Sequence, residues 1–199
     1  MVNGQWSMVN FFVPLHAIMT PEEYKQLKAF ARQDGALLSL LWIGALICYI
    51  QGMTSPIMGT LALLLIIASP FFAASRLRHF RDYAREGVIS FRRGFAYFVL
   101  IFFYAGLLLA AALYVYFAFI DKGYLLMKLT EMMSSEEGKQ AMQAAGMAEQ
   151  MREGLQQLSE MRPIDYALNM LSFNIITGIF LGLPIAALMQ RQVAKVKNQ

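Results

Sequence analysis

Residues 76–120 decide the fold, and they read RLRHFRDYAREGVISFRRGFAYFVLIFFYAGLLLAAALYVYFAFI. The part up to Arg93 carries six arginines, whereas residues 95–120 carry no charged side chain over 26 positions. A helix of that length reaches about 39 Å at roughly 1.5 Å per residue, which exceeds the roughly 30 Å of a bilayer's hydrocarbon core. The stretch therefore predicts a tilted transmembrane helix whose first turn stands in a basic patch.

The composition of the 199-residue chain indicates a membrane protein with several spans. Hydrophobic residues make up 58% and charged residues 15%, whereas about a quarter of the residues in soluble domains are charged. The formal net charge of +4 comes mostly from segments beside apolar runs, where Lys and Arg fix orientation, so nucleic-acid binding is not indicated. A single cysteine, Cys48, excludes an intramolecular disulfide.

Further apolar runs complete an all-α architecture with four spans. Residues 35–75 contain no ionisable side chain apart from one cysteine and one tyrosine, and the polar turn QGMTSP at 51–56 divides them in two. The second span is expected to continue as an amphipathic turn until Gly87, and Ser90 is expected to cap the third. The predicted spans are 36–52, 57–75, 95–120 and 164–189.

The residues before the first span are predicted to form a cytoplasmic unit, residues 1–34, ahead of a transmembrane unit, residues 35–199. Residues 1–19 lack the basic segment of a signal peptide and are interpreted as an interfacial arm, a leader or residues foreign to the natural protein. Next comes TPEEYKQLKAFARQD, in which Thr20 as N-cap and Glu23 at N3 form a capping box. This short helix is expected either to lie on the membrane surface or to pack on neighbouring loops.

Residues 121–162, here called the connector, are predicted to form a helical hairpin outside the membrane between the third and fourth spans. The third span is expected to extend past the membrane as the first helix of this hairpin. Ser134 and Glu137 match a capping box that opens the second helix. An apolar stripe marks the packing face of that second helix: Met147, Met151, Leu155 and Leu158.

The distribution of Lys and Arg predicts that both chain termini are cytoplasmic. Three such residues precede the first span, six lie between the second and third spans, and three follow the fourth. The short turn between the first two spans has none, and the connector has five over 42 residues, together with seven acidic residues. Because positively charged loops stay on the cytoplasmic side, the connector is expected on the outer side.

The fourth span carries the most informative polar residues. Buried polar groups need partners in hydrocarbon, so this helix is expected to face other helices, or a water-filled cavity with a transport or ligand-binding role. Gly178 and Gly182 match G-x-x-x-G, which suits either packing on the third span or homodimerisation. The track of polar and small residues consists of Asp165, Asn169, Asn174, Gly178 and Gly182.

The arginines between the second and third spans have two interpretations. As topology determinants they need no ligand. As a lipid site they would bind the phosphate of an anionic headgroup, because guanidinium groups match phosphate oxygens. The candidates for this second role are Arg78, Arg81, Arg85, Arg92 and Arg93.

No catalytic, cofactor or metal site is predicted. The two histidines, His16 and His79, belong to no H-E-x-x-H motif, and neither G-x-S-x-G nor a phosphate-binding glycine motif occurs. Half of the fourteen methionines fall in the connector, and thioethers can bind Cu(I), but no Cys or His lies nearby in the sequence to complete such a site. Methionines that fill an irregular core are the simpler interpretation.

The third span is entered through I-S-F-x-x-x-F at residues 89–95, and small residues stand late in the fourth span, in NMLSFNIITGIFLGLPIAALMQR at 169–191. In these features the chain resembles an uncharacterised family of four-span inner-membrane proteins of Bacteroidota. The resemblance covers about residues 20–195. It implies the four-helix topology and a Gram-negative inner membrane, and it implies no activity, because that family is of unknown function.

These patterns favour a non-enzymatic accessory or scaffold protein that acts through helix–helix contacts with itself or with another membrane protein. The alternative is a small transporter or a protein that binds anionic membrane lipids, with a substrate path beside Asp165, Asn169 and Asn174. An enzyme with an unfamiliar site is the third hypothesis. Membrane lipids are expected partners, and no cofactor or nucleic acid is expected.

Overall fold

The computed structural model describes residues 19–191, which consist of helices and short connections. The interpretation of residues 1–19 therefore lies, except for Met19, outside the described residues. Two π-helical turns, Phe80–Ala84 and Tyr116–Ile120, extend the second and third long helices. The α-helices are α1 Pro21–Gly52, α2 Pro56–His79, α3 Phe91–Val115, α4 Tyr124–Ser134, α5 Glu136–Ala144, α6 Ala148–Glu160 and α7 Pro163–Met189.

Four of these helices are long and apolar enough to cross a membrane. Counted with their π turns, they are Pro21–Gly52, Pro56–Ala84, Phe91–Ile120 and Pro163–Met189. The predicted all-α class is confirmed, and so is the presence of four helices of the length and hydropathy that a membrane span needs. The described residues contain no β-strand, and a single pair of residues outside the helices forms a β-bridge.

α1 and α2 form the tight hairpin that the polar turn predicts. α1 ends at Gly52, and Ser55 is the N-cap of α2. The two backbones approach closely at a glycine pair, since a Cβ on Gly52 would lie 2.6 Å from the Cα of Gly59. Only glycine fits at position 52 of this crossing, whereas a Cβ on Gly59 would lie 3.7 Å from the Cα of Gly52, which is an ordinary contact distance.

α1 is one continuous helix, so the expectation of a separate surface helix ending near Asp34 was wrong. The predicted capping box is present, with Glu23 N donating to Thr20 Oγ1 over 3.2 Å. The helix continues past Asp34 because this side chain is buried and bonded to α2 and α3. Gly35 then packs on α3, where a Cβ would lie 2.7 Å from Tyr104 Cβ.

α3 is the centre of the bundle, with α1 along one side and α7 along another. Its side chains form most of the core, and those buried below 5% exposure are Tyr97, Phe98, Ile101, Phe102, Ala105 and Leu113. The rings of Phe98 and Phe102 stack with centroids 4.9 Å apart. α2 lies outside this arrangement and packs mainly on α1.

The connector consists of three short helices instead of the two expected for a hairpin. α3 does not extend into it, because the chain turns at Lys122 and Gly123, whose φ angles are 47° and 85°. Ser135, not Ser134, caps α5, since its Oγ accepts the Gly138 N–H at 3.0 Å. A third turn at Gly146, with φ of 64°, separates α5 from α6. Positive φ at two glycines therefore divides the segment.

Residues 76–93, between the second and third spans, are here called the link, and the helix of the second span ends within them where the sequence predicts. After the π turn the backbone leaves the helix at Glu86 and Gly87, with φ of 51° and 81°. Ser90 is the N-cap of α3. Ile89 exchanges two backbone hydrogen bonds with Arg191, with N···O distances of 3.1 and 3.0 Å. The residue that follows α7 is therefore fastened to the link.

Candidate functional site

A cavity of about 610 Å³ lies between the four long helices, toward the connector. α3 forms its floor, α1 and α2 form one wall, and α7 forms the other. Side chains of α4 and α6, such as Leu125 and Leu158, close the connector end. Its other lining residues include Trp42, Ser69, Phe102, Leu113, Tyr166 and Asn174.

Most polar side chains in the cavity wall already have partners within the protein. Trp42 Nε1 donates to Ser69 Oγ over 2.7 Å, and Ser69 in turn donates to the Leu65 carbonyl over 3.1 Å. Asn174 Nδ2 donates to the Met170 carbonyl over 2.9 Å. Because these donors are used, the wall presents mainly apolar surface to a ligand.

The cavity opens sideways between α2 and α7. These two helices approach each other at the end near the arginines, where Leu77 and Ala186 both contact Gly94 of α3. Toward the connector, side chains of both helices line the cavity. Apolar side chains at the opening are exposed, with Ile66 at 53% and Phe173 at 63%. For spanning helices, this side of the bundle faces hydrocarbon.

A buried acid joins three of the long helices at the opposite end of the bundle, here called the arginine end. Asp34 on α1 is 1% exposed. Its Oδ1 accepts from Arg76 Nε of α2 over 2.7 Å, and its Oδ2 accepts from the Tyr97 hydroxyl of α3. Sequence reasoning missed this site. The available signal was that Asp34 is the last charge before the apolar run 35–75.

The candidate headgroup arginines have mostly internal partners. Arg85 Nη1 and Arg93 Nη2 each lie 2.8 Å from a carboxylate oxygen of Glu23. Arg81, itself buried, binds Asp82 through two nitrogens, and its Nη1 donates to the Met189 carbonyl over 3.2 Å. Of the remaining two, Arg78 is exposed and Arg92 is half-buried. The structure thus brings Arg85 and Arg93 together, but around an acid of α1.

The polar residues of the fourth span lie in different environments. Asp165 pairs with Arg162 through two nitrogens, each at 3.0 Å, and this hydrogen-bonded carboxylate raises the pKa of the Arg162 guanidinium. Asn169 is exposed, whereas Asn174 is buried against Gly106 of α3. The residues do not form one continuous polar path.

The two glycines of the G-x-x-x-G match pack within the chain. A Cβ on Gly178 would lie 2.6 Å from Phe102 Cβ, and one on Gly182 would lie 3.2 Å from a ring carbon of Phe95. Both phenylalanines belong to α3. Of the two arrangements that the sequence left open, the structure has packing of α7 on the third span.

Within residues 19–191, no group of three or more His, Cys, Asp or Glu side chains is arranged to hold a metal ion. Cys48 on α1 is a free thiol and is half-buried. Glu23 and Asp34 each bind arginines instead.

Four helices that are long and apolar enough to span a membrane, with an apolar cavity between them, are typical of a helical membrane protein. Residues 35–191 match a family described as "Protein of unknown function (DUF4199)". The chain belongs to this family. Comparison with curated proteins gave no significant match. Comparison with solved structures gave none either.

Proposed function

We propose that this protein is a non-enzymatic membrane protein that binds the acyl chain of a membrane lipid in the cavity between α2 and α7. The observation that carries the proposal is an apolar cavity whose principal polar groups, those of Trp42, Ser69 and Asn174, are already hydrogen-bonded. A ligand there gains little from polar contacts, so binding depends on apolar contact area.

Size and access also favour an acyl chain. A volume of about 610 Å³ falls within the roughly 300–1,000 Å³ typical of ligand sites. The opening between α2 and α7 faces the hydrocarbon layer, where lipid chains are the most abundant apolar molecules. A polar substrate path along the fourth span is less favoured, because Asn169 and Asn174 have separate surroundings.

The proposed setting is the bacterial inner membrane, with the arginine end and both termini in the cytoplasm. The excess of Lys and Arg at that end supports this orientation. The connector then lies outside, and the cavity opens into the outer half of the bilayer. The resemblance to inner-membrane proteins of Bacteroidota supports the choice of membrane.

An accessory role through helix–helix contacts is the second candidate, and the position of α2 favours it. This helix packs mainly on α1, and its other side chains are exposed, with Ile57 at 77% and Phe71 at 72%. A second copy or another membrane protein would bind along this face. Gly178 and Gly182 are unavailable for such contacts, because α3 covers them.

Quenching of tryptophan fluorescence by lipids with brominated acyl chains tests the acyl-chain proposal. The chain has two tryptophans, so the Trp6→Phe variant reports on Trp42 alone, which lines the cavity at 8% exposure. In bilayers of brominated lipid we expect strong quenching of Trp42. Thr177→Phe, which fills the cavity, should reduce the quenching by about half or more because it displaces the chain.

Ile179→Phe is the matched control for Thr177→Phe. Ile179 is on the same helix, is 41% exposed and does not line the cavity, so this variant should quench like the parent. Circular dichroism checks that both variants keep the helical fold. Equal quenching in the parent and in folded Thr177→Phe would overturn the proposal.

A further inference from the structure

A second concave site lies on the bundle at the arginine end, between α1 and α3 and away from the apolar cavity. It has a volume of about 400 Å³. The residues that line it are Lys25, Lys28, Ala29, Arg32 and Tyr104. Three of these five are cations, and no acidic residue is among them.

The three cations share one face of α1. Lys25, Lys28 and Arg32 follow one another at spacings of three and four residues, which places their side chains in a row along the helix. Lys28 Nζ lies 4.5 Å above the ring centre of Tyr24, which leaves its ammonium hydrogens available for a second partner. The row therefore forms one connected patch of positive charge.

This patch differs from the arginines of the link in its lack of counter-charge. Arg76, Arg81 and Arg85 each form an ion pair with an acid of the protein. Across residues 19–191, no ion pair joins Lys25, Lys28 or Arg32 to an acid. An anion from outside the chain is the partner that would complete it.

The position of the site relative to the apolar surface indicates which kind of anion it would bind. Arg32 stands three residues before the apolar run 35–75, and Tyr104 packs beside Gly35 at the start of that run. The site therefore spans the boundary between charged and apolar surface, where the headgroups of a bilayer lie. A tyrosine at this depth can point its hydroxyl toward a headgroup while its ring contacts hydrocarbon.

We propose that Lys25, Lys28, Arg32 and Tyr104 bind the phosphate of an anionic phospholipid headgroup in the cytoplasmic leaflet. The site shares no lining residue with the apolar cavity, so it can be present whether or not the cavity takes an acyl chain. Its residues are also different from the arginines of the link, which the sequence suggested as the headgroup site.

Native mass spectrometry of the full chain, titrated with phosphatidylglycerol in detergent, tests the proposal. The variant is Lys25→Gln with Lys28→Gln and Arg32→Gln. Since each basic residue near an anionic headgroup contributes roughly a fivefold factor in affinity, the triple variant should bind ten- to about a hundredfold more weakly. Tyr104→Phe, which keeps the ring, should weaken binding by about two- to tenfold.

A charge-matched control separates the site from general electrostatic attraction. Lys122→Gln with Lys139→Gln and Arg152→Gln removes the same formal charge at exposed positions in the connector, and should bind like the parent. Equal weakening by both triple variants would overturn the site. All six positions are exposed or half-buried, and thermal melting checks that both variants are folded.

Two further arms identify the ligand and separate the two proposals. Inorganic phosphate at millimolar concentration should leave phosphatidylglycerol binding unchanged. Full competition would instead make this a site for free phosphate and overturn the lipid assignment. Quenching of Trp42 by brominated lipid should be unchanged in the Lys25, Lys28 and Arg32 variant, so loss of headgroup binding is distinguishable from loss of acyl-chain binding.

Discussion

Asp34 and Arg76 form an ion pair between α1 and α2, in which two guanidinium nitrogens lie 2.7 and 2.6 Å from the same carboxylate oxygen. The other carboxylate oxygen accepts the hydroxyl of Tyr97 from α3. One acid therefore joins three of the long helices, α1, α2 and α3, at one level along the bundle. The Asp34 side chain is 1% exposed and that of Arg76 is 26% exposed, so the arginine alone of the pair reaches the surface.

Arg76→Leu should destabilise the protein strongly, because it leaves the Asp34 carboxylate buried with only a hydroxyl partner. Loss of one member of a buried pair costs about 3–5 kcal/mol. Thermal unfolding in detergent measures this, and Arg78→Leu, at an exposed position on the same helix, is the control. The double variant Asp34→Leu with Arg76→Leu should recover much of the loss. Equal effects of the two single arginine variants would contradict the assignment.

Gly178→Ala should weaken the packing of α7 on α3. The added Cβ would lie 2.6 Å from Phe102 Cβ, and overpacking of this kind costs about 1–3 kcal/mol. Gly44→Ala is the control, since nothing lies within 4 Å of a Cβ added there, and it should be neutral or stabilise by up to about 1 kcal/mol. A lower unfolding midpoint for Gly44→Ala than for Gly178→Ala would show that the contact is misassigned.

Glu23→Gln should loosen the arginine end more than loss of the helix cap alone. Glu23 forms ion pairs with both Arg85 and Arg93, and Arg85 Nε already lacks a hydrogen-bond partner within the described residues. Thr20→Ala removes the side-chain cap and keeps these ion pairs, at a cost of about 1 kcal/mol. Hydrogen exchange of the link should rise in Glu23→Gln and change little in Thr20→Ala. Matching exchange rates would argue that the pairs contribute nothing.

The proposed orientation can be tested by cysteine labelling. Cys48 is the single cysteine, so Cys48→Ser gives a background without thiols. A membrane-impermeant maleimide applied to intact cells with an opened outer membrane should label Glu149→Cys in the connector. Arg78→Cys should react only after the inner membrane is permeabilised. The reverse pattern would place the arginine end outside.

The long helices could be predicted from the sequence because their signals are local. A run without charge, the polar turn between α1 and α2 and the N-cap Ser90 each depend on neighbouring residues alone. The end of the first helix was mispredicted because it depends on contacts between residues that are distant in the sequence. Asp34 looks like a terminal charge in the sequence, and only its long-range bonds to Arg76 and Tyr97 keep it inside a helix.

The candidate site was predicted less well, because pairing between distant residues decides it. Five arginines were grouped as one site because they are close in the sequence. In the fold, Arg85 and Arg93 instead form hydrogen bonds with Glu23, which is more than sixty residues away in the chain. Gly178 and Gly182 could be identified as packing residues, but their partner helix could not. The apolar cavity has no sequence motif, since residues from all four long helices line it.

The fastening of Arg191 to Ile89 has a mechanical consequence for the whole bundle. α7 is joined to α3 through the connector at one end and through these two backbone hydrogen bonds at the other, so it forms part of a closed ring. α2 packs mainly on α1 instead, to which the turn at 53–55 and the ion pair between Asp34 and Arg76 join it. A guest wider than the resting gap would therefore displace α2 rather than α7.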